Sequence, residues 1–292
     1  MDSEQDQSAL WSIVQADGDK AYPTAIGAVP VQFCSIGDSP SLFQCALHRA
    51  LSVTDRRHIM ATVTARHRRW WSPPLWCVPE KHRIIDQSTG RLTITLAGAL
   101  ALIERSDADA RVVVQVPEAF CATGAFTDAV AQALRVLEAL PTHIVALTTE
   151  PFTAEANQDY LLFGPPDRLP GLSAARFIKR PTPVVAERLV ALGAHVSLGV
   201  YVAQLATLTS LFESVWPNLM AAARSLVERA SGEVLTPLHM PGTRFSRPWR
   251  HTWVQRPLPR LRAVSVDRCG WVSLGSAMSL ASGLSPRRLA GE

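Results

Sequence analysis

Pro30-Val-Gln-Phe-Cys-Ser-Ile-Gly-Asp-Ser-Pro-Ser-Leu-Phe-Gln44 is the stretch on which the fold turns. Its second half opens a helix. From Ser41 to Leu51 the apolar residues Leu42, Phe43, Ala46, Leu47 and Ala50 recur at helical spacing. Upstream, Leu10-Trp-Ser-Ile-Val-Gln-Ala16 is a short apolar run that enters the turn-rich Asp17-Gly-Asp-Lys20. A buried first strand delivers a loop to a ligand site in this way.

Further along, His58 to Ala65 alternates as a strand does, and Thr93 to Arg105 reads as an apolar helix. Arg111-Val-Val-Val-Gln-Val-Pro117 is the clearest buried strand, because three consecutive valines suit a sheet covered on both faces. Phe126 to Leu140 is an amphipathic helix, and His143-Ile-Val-Ala-Leu-Thr148 is the next strand. Tyr160 to Pro170 reads as a Pro- and Gly-rich loop, Ala174 to Lys179 as a strand, and Pro181 and Pro183 as the start of a helix. Past residue 231 the chain is Pro- and Arg-rich, and Ala263 to Gly275 is expected to be a strand and loop. Strand–helix–strand alternation of this kind predicts a mainly parallel sheet with helices on both sides.

Composition sets the class. With 292 residues, 47% of them hydrophobic and 18% charged, the chain can bury a large core and is not of the disordered type. A net charge of +4 suits small anionic ligands such as nucleotides and is too modest to argue for nucleic acid. The five cysteines, Cys34, Cys45, Cys77, Cys121 and Cys269, are scattered without a C-x-x-C pair, as expected of reduced thiols in a cytoplasmic protein. Met1 to Ser8 is polar and acidic, unlike a signal peptide. Leu189 to Phe212 carries no Asp, Glu, Lys or Arg, but His195, Ser197, Gln204 and two glycines interrupt it. It is expected to be a buried strand followed by a core helix rather than a membrane span.

Read in order, these elements resemble the mannose-1-phosphate guanylyltransferase family of sugar nucleotidyltransferases over about residues 10–280. Leu10 to Gly18 is similar to the opening L-W-x-I-V-L-A-G-G. Pro30 to Gln44 is similar to P-K-Q-F-x-P-L-x-G-x-x-S-L-L-Q, with Val31 at the lysine. Ala110 to Pro117, followed by Ala125-Phe126, resembles the strand ending in P-x-D-H and its helix. Ala174-Ala-Arg-Phe-Ile-Lys-Arg-Pro181 resembles R-F-x-E-K-P, and Phe245-Ser-Arg247 and Gly270-Trp-Val-Ser-Leu-Gly-Ser276 resemble the late F-S-R and G-W-S-D-W-G-T segments.

The resemblance implies a three-layer α/β/α, Rossmann-like nucleotidyltransferase fold with a mainly parallel, mixed sheet. It covers one domain, residues 10–282, between tails at 1–9 and 283–292. It also implies a reaction in which a sugar-1-phosphate attacks the α-phosphorus of an NTP and releases pyrophosphate, with Mg²⁺ as the cofactor if the protein is active. That chemistry needs phosphate-facing cations and carboxylates that hold the metal. On this reading Ala16, Asp17, Gly18, Asp19 and Gln32 face the nucleotide and His195 and Ser197 face the sugar. Lys20 and Arg180 carry the catalytic charge, and Glu118 is the candidate metal ligand.

Several family positions have changed. The glycine loop is shortened to Asp17–Lys20, where Asp17 and Asp19 are expected to put negative charge against the phosphates. Val31 removes the phosphate lysine. Glu118 stands for the aspartate after the valine strand, Lys179 reverses a charge, and Ser273 falls on the second metal aspartate. Removing one charge-stabilising group typically costs ~10²–10³ in rate, so ordinary turnover is not expected. Two readings follow: a weak enzyme, or a non-catalytic homologue that binds a nucleotide or nucleotide-sugar and regulates or scaffolds an active relative. Such a homologue would assemble with itself or with that relative.

Other motifs lead elsewhere and are weaker. Arg66-His-Arg-Arg-Trp-Trp71 and the arginines of 244–262 interleave charge and aromatic rings, but no nucleic-acid reader motif accompanies them. His195-Val-Ser-Leu-Gly199 and Trp271-Val-Ser-Leu-Gly275 approach a nucleophile elbow without its first glycine. The eight histidines show no metal-ligand spacing.

Overall fold

The computed structural model describes residues 9–24, 27–36, 38–87, 92–156, 158–230, 234–236, 249, 260–266 and 269–273. Its first half contains strands β1 (Leu10–Ala16), β2 (Ala21–Thr24), β3 (Gly27–Pro30), β4 (Ile59–Thr64), β5 (Arg83–Asp86), β6 (Arg111–Gln115) and β7 (Ala119–Phe120). Between and after them run helices α1 (Leu42–Val53), α2 (Arg68–Trp71), α3 (Leu92–Ser106) and α4 (Thr123–Ala139). The second half contains β8 (Ile144–Thr149), β9 (Asp159–Phe163), β10 (Leu172–Lys179), α5 (Pro183–Ala191), β11 (His195–Gln204), α6 (Leu205–Val215) and α7 (Pro217–Arg229). Strands β12 (Val234–Thr236), β13 (Leu261–Ser265) and β14 (Val272–Ser273) follow.

Ten strands form one sheet in the order β12-β5-β4-β1-β6-β11-β8-β13-β10-β9. β1 lies between β4 and β6, parallel to both, and β11 runs antiparallel between β6 and β8. Side-chain alternation divides the core into two slabs. Trp11, Ile13, Val112 and Val114 point toward α3, α6 and α7, where they meet Leu96, Leu100, Leu208, Phe212 and Met220. Val14 and Ala16 meet Phe43 and Leu47 of α1, and Val113 meets Phe126 and Val130 of α4. The three valines of β6 are therefore buried on both faces, and the expected three-layer mixed α/β fold is present.

Helix α1 begins where the sequence changes character, at Ser41. The Ser41 hydroxyl accepts from the Gln44 amide (3.3 Å), and Gln44 Oε1 accepts from the Ser41 amide (3.0 Å). This reciprocal pair satisfies N–H groups that the helix itself leaves open. The charge-free run resolves into β11 and α6, as expected, and no helix among the described residues is long and apolar enough to cross a membrane.

The expectation of a loop from Tyr160 to Pro170 is corrected at its start. Tyr160 to Phe163 belongs to β9, which pairs with β10 and with the first residues of β11. Tyr160 is fully buried there, its hydroxyl donating to the Glu155 carbonyl (3.0 Å). Ala9, assigned to a tail, accepts a hydrogen bond from the Arg111 amide (3.1 Å). The 283–292 tail, Phe245-Ser-Arg247 and most of the 244–262 arginine cluster lie outside the described residues.

Candidate functional site

β1, β4 and β6 end at one edge of the sheet, and β11, running the other way, begins there. Ligands of open α/β sheets bind outside the carboxyl ends of the strands. Four segments border that edge here: the loop after β1, the turn after β6, the junction of β9 with β10, and the start of β11.

The loop after β1 is held from within. Gln32, only 3% exposed, sits in a 3₁₀ turn over Val31–Phe33 and donates to the carbonyls of Ala16 (3.0 Å) and Gly18 (2.8 Å). Gln32 therefore clamps the two residues that flank Asp17. Asp17 itself points inward. Its carboxylate is fully buried and accepts from the hydroxyls of Thr62 (2.6 Å) and Thr95 (2.7 Å). Burial pushes its pKa up to about 6, with the nearby Asp86 adding to the rise and the two threonines opposing it. The expectation that Asp17 presents charge to a phosphate is thus corrected, and its carbonyl too is engaged, accepting from the Thr64 hydroxyl (3.2 Å). Asp19 does reach the surface, where Arg66 pairs with it and offsets its charge.

Lys20, Glu118 and Arg180 come together. Burial lowers the Lys20 pKa, the Arg180 guanidinium lowers it further, and the Glu118 carboxylate opposes both. A Cβ built on Gly18 would stand 4.0 Å from Glu118 Oε1, so the glycine loop and the turn after β6 face each other. The Lys20 ammonium also lies over the Tyr22 ring, 5.6 Å from its centroid.

Glu118 and Arg180 line one pocket with Gln158, Asp159, Ser197 and Trp271. Arg180 follows β10 and has φ 38°, the only non-glycine residue with positive φ among the described residues. Its amide donates to the Gln158 carbonyl (3.1 Å), which ties the end of β10 to the start of β9. A bulky side chain in the left-handed region is strained, and such strain clusters at functional sites.

Opposite, β11 bulges between Ser197 and Val200. Gly199 takes φ +71° there, and its carbonyl accepts from the Val116 amide (3.0 Å). This positive φ requires a glycine and fixes the hydroxyl of Ser197, which accepts from the Gly199 amide and lies 3.2 Å from the Tyr201 hydroxyl. His195 is not in the pocket wall. Its Nδ1 lies 3.3 Å from the Thr148 hydroxyl, and its ring meets Phe163 edge-on.

Two positions of the resemblance keep their place but not their chemistry. The Val31 amide donates to the Lys20 carbonyl (2.9 Å), yet the Val31 side chain is 1% exposed and packs with Ile36, Leu42, Tyr22 and Phe120. Ser273 pairs in register with Ala119, next to Glu118. The backbones of both positions therefore neighbour candidate-site residues, Lys20 and the Glu118 turn. Magnesium takes oxygen ligands at near-octahedral geometry. Although Glu118 and Asp159 share a pocket, no three His, Cys, Asp or Glu side chains gather as a metal centre among the described residues. Magnesium bound through a ligand's phosphates needs only one or two protein carboxylates, and Glu118 and Asp159 are those this pocket offers.

Gln158, Asp159 and Trp271 line the pocket without having been marked as site residues by the sequence. Asp159 stands just before a Pro/Gly-rich segment, and no motif distinguishes it.

No family model matches the chain, and no curated protein matches its sequence. Solved structures do. Mannose-1-phosphate geranyltransferase from Thermus thermophilus superposes with a TM-score of 0.74 at 17% identity, covering 94% of this chain and 79% of that one. Mannose-6-phosphate isomerase from Helicobacter pylori gives 0.61 at 15% identity, covering 91% and 100%. The inositol-1-phosphate CTP transferase of T. maritima gives 0.55 at 12% identity, covering 96% of each. These similarities establish that the chain has a sugar-nucleotidyltransferase-like fold.

Proposed function

We propose that the protein is a sugar-1-phosphate nucleotidyltransferase homologue. Its cleft binds a nucleotide or nucleotide-sugar, and its turnover is weak or absent. The observation that carries this reading is the meeting of Lys20 and Arg180 at Glu118, beside a position 31 that is sealed in apolar packing. Two cations can offset the charge of a phosphate. The Glu118 carboxylate and the Ser197 hydroxyl can take hydrogen bonds from a ribose or sugar. The Trp271 ring offers a face for a base or sugar. Phosphoryl transfer needs more neutralisation than binding does, because charge crowds in the transition state. Val31 supplies none of it, and Asp17 faces inward.

A second role, as regulator or scaffold for an active relative or as a homo-oligomer, draws support from exposed apolar side chains at α5 and in the loop after β8. Val184 is 59% exposed, Leu192 67% and Phe152 89%.

Pyrophosphate release with GTP, ATP, UTP or dTTP and several sugar-1-phosphates in Mg²⁺, run beside thermal melts with nucleotides and nucleotide-sugars, tests the proposal. Ligand at a hundred times its Kd adds about 2.7 kcal/mol of stability, which should raise Tm by several degrees while release stays at the blank. Release well above the blank, abolished by Glu118→Ala, would overturn the non-catalytic part. Melts that no ligand shifts would overturn the binding part.

A further inference from the structure

Beneath the pocket, three elements enclose a buried arginine among thiols. Arg49 of α1 is 3% exposed, and its Nε and Nη1 make no hydrogen bond among the described residues. Its guanidinium lies over the Phe126 ring of α4, 5.5 Å from the centroid. Among the described residues, the titratable groups that face it are three thiols: Cys45 one turn earlier on α1, Cys121 after β7, and Cys269 before β14. A buried guanidinium with no counter-charge costs several kcal/mol. Among the described residues here, a thiolate can supply one.

Cys121 and Cys269 are 6% and 1% exposed and share one apolar cluster. The Ala122 amide donates to the Cys269 carbonyl (2.8 Å), and Phe120 pairs with Val272, so the two backbones run side by side. The Cys121 thiol is hydrogen-bonded to the Cys269 sulfur. That bond, with burial, pushes the Cys121 thiol up. The same bond, helped by amide donors and Thr149, holds the Cys269 thiol below its usual value. Side-by-side backbones make the two thiols neighbours, as a disulfide requires.

We propose that Cys121 and Cys269 form a redox-active dithiol beside Arg49 and that a small peroxide closes it to a disulfide under the cleft. The Cys269 thiolate attacks one peroxide oxygen. An S–O bond forms, the O–O bond breaks, and the departing hydroxide takes up the proton that Cys269 released on ionising. The Cys121 sulfur then attacks the Cys269 sulfenic sulfur. An S–S bond forms, the S–O bond breaks, and the leaving hydroxide takes the Cys121 proton. Two thiols are oxidised and one peroxide is reduced to two waters. The bond joins β7, which follows Glu118, to the segment that carries Trp271, so both walls of the pocket are tied by it.

The fully reduced protein, treated with a small excess of hydrogen peroxide, is unfolded, its thiols counted and its peptides mapped. Of five cysteines, three are expected to remain as thiols, with a cross-linked peptide joining Cys121 to Cys269. Arg49→Met is expected to slow closure at least about tenfold, because it removes the cation that favours the thiolate. Five remaining thiols, or oxidation falling on the half-buried Cys34 and Cys45 instead, would overturn the proposal. An unchanged rate in Arg49→Met would overturn the role of Arg49. The peptide map of the unaltered protein decides the pairing even where a variant fails to fold.

Discussion

Two groups of ionisable side chains stand at the same edge of the sheet in opposite surroundings. Asp17, with Thr62, Thr95 and the neighbouring Asp86, is sealed inside. Lys20, Glu118 and Arg180 gather only a residue or two of loop away, and Glu118 and Arg180 line an open pocket. The first group joins β1, β4 and α3 through hydrogen bonds and has no face toward a ligand. The second joins segments that are far apart in sequence and belong to no single core. Ionisable groups beside one glycine loop thus serve two separate ends, and only burial tells them apart.

Removing the sealed carboxylate should have the largest effect. Asp17→Ala leaves the Thr62 hydroxyl without its acceptor, leaves Thr95 only the Leu92 carbonyl (3.2 Å), and opens a small cavity. A stability loss of about 3 kcal/mol in urea is expected, with ligand affinity, corrected for folded protein, nearly unchanged. An equal fall in affinity would erase the distinction between the two groups.

The same residue predicts a pH dependence. Its folded pKa of about 6 lies above the ordinary 3.8, so the folded state holds the proton more tightly than the unfolded chain. Its favourable contribution is complete below about pH 3.8 and is lost as pH rises through 6. Relative to Asp17→Asn, the unaltered protein should lose up to about 3 kcal/mol between pH 4 and pH 7. A difference that stays flat or grows with pH would place Asp17 outside the core.

Arg180 sharpens the contrast from the other side. Arg180→Gly relieves the positive φ and should stabilise the fold by about 1 kcal/mol while weakening an anionic ligand at least about tenfold. The smallest effect is expected at the rim. Asp19→Asn breaks an exposed pair with Arg66 and should change stability by less than about 1 kcal/mol. A larger loss would show that the pair braces the loop.

Much of the fold was legible because burial imposes period on sequence. The valines of β6, the apolar spacing of α1 and α4, and the charge-free run that becomes β11 and α6 all carry that mark. β9 was hidden by the glycine and prolines that follow it, and α7 begins at Trp216-Pro217 with no cap residue to announce it. The candidate site was legible only in part. Lys20, Glu118, Arg180 and Ser197 do converge, but the inward turn of Asp17 depends on threonines from β4 and α3. The meeting of Cys121 with Cys269 depends on β7 pairing with β14. Contacts across such separations leave no local pattern in a single sequence.

Titration calorimetry of nucleotides and nucleotide-sugars into the unaltered protein and into Arg180→Gly tests the central claim most directly. Saturable one-site binding, weakened at least about tenfold in a variant that melts no lower, is the predicted result. Equal affinity in the two proteins, or no binding to either, would contradict a ligand site at the Lys20–Glu118–Arg180 cleft.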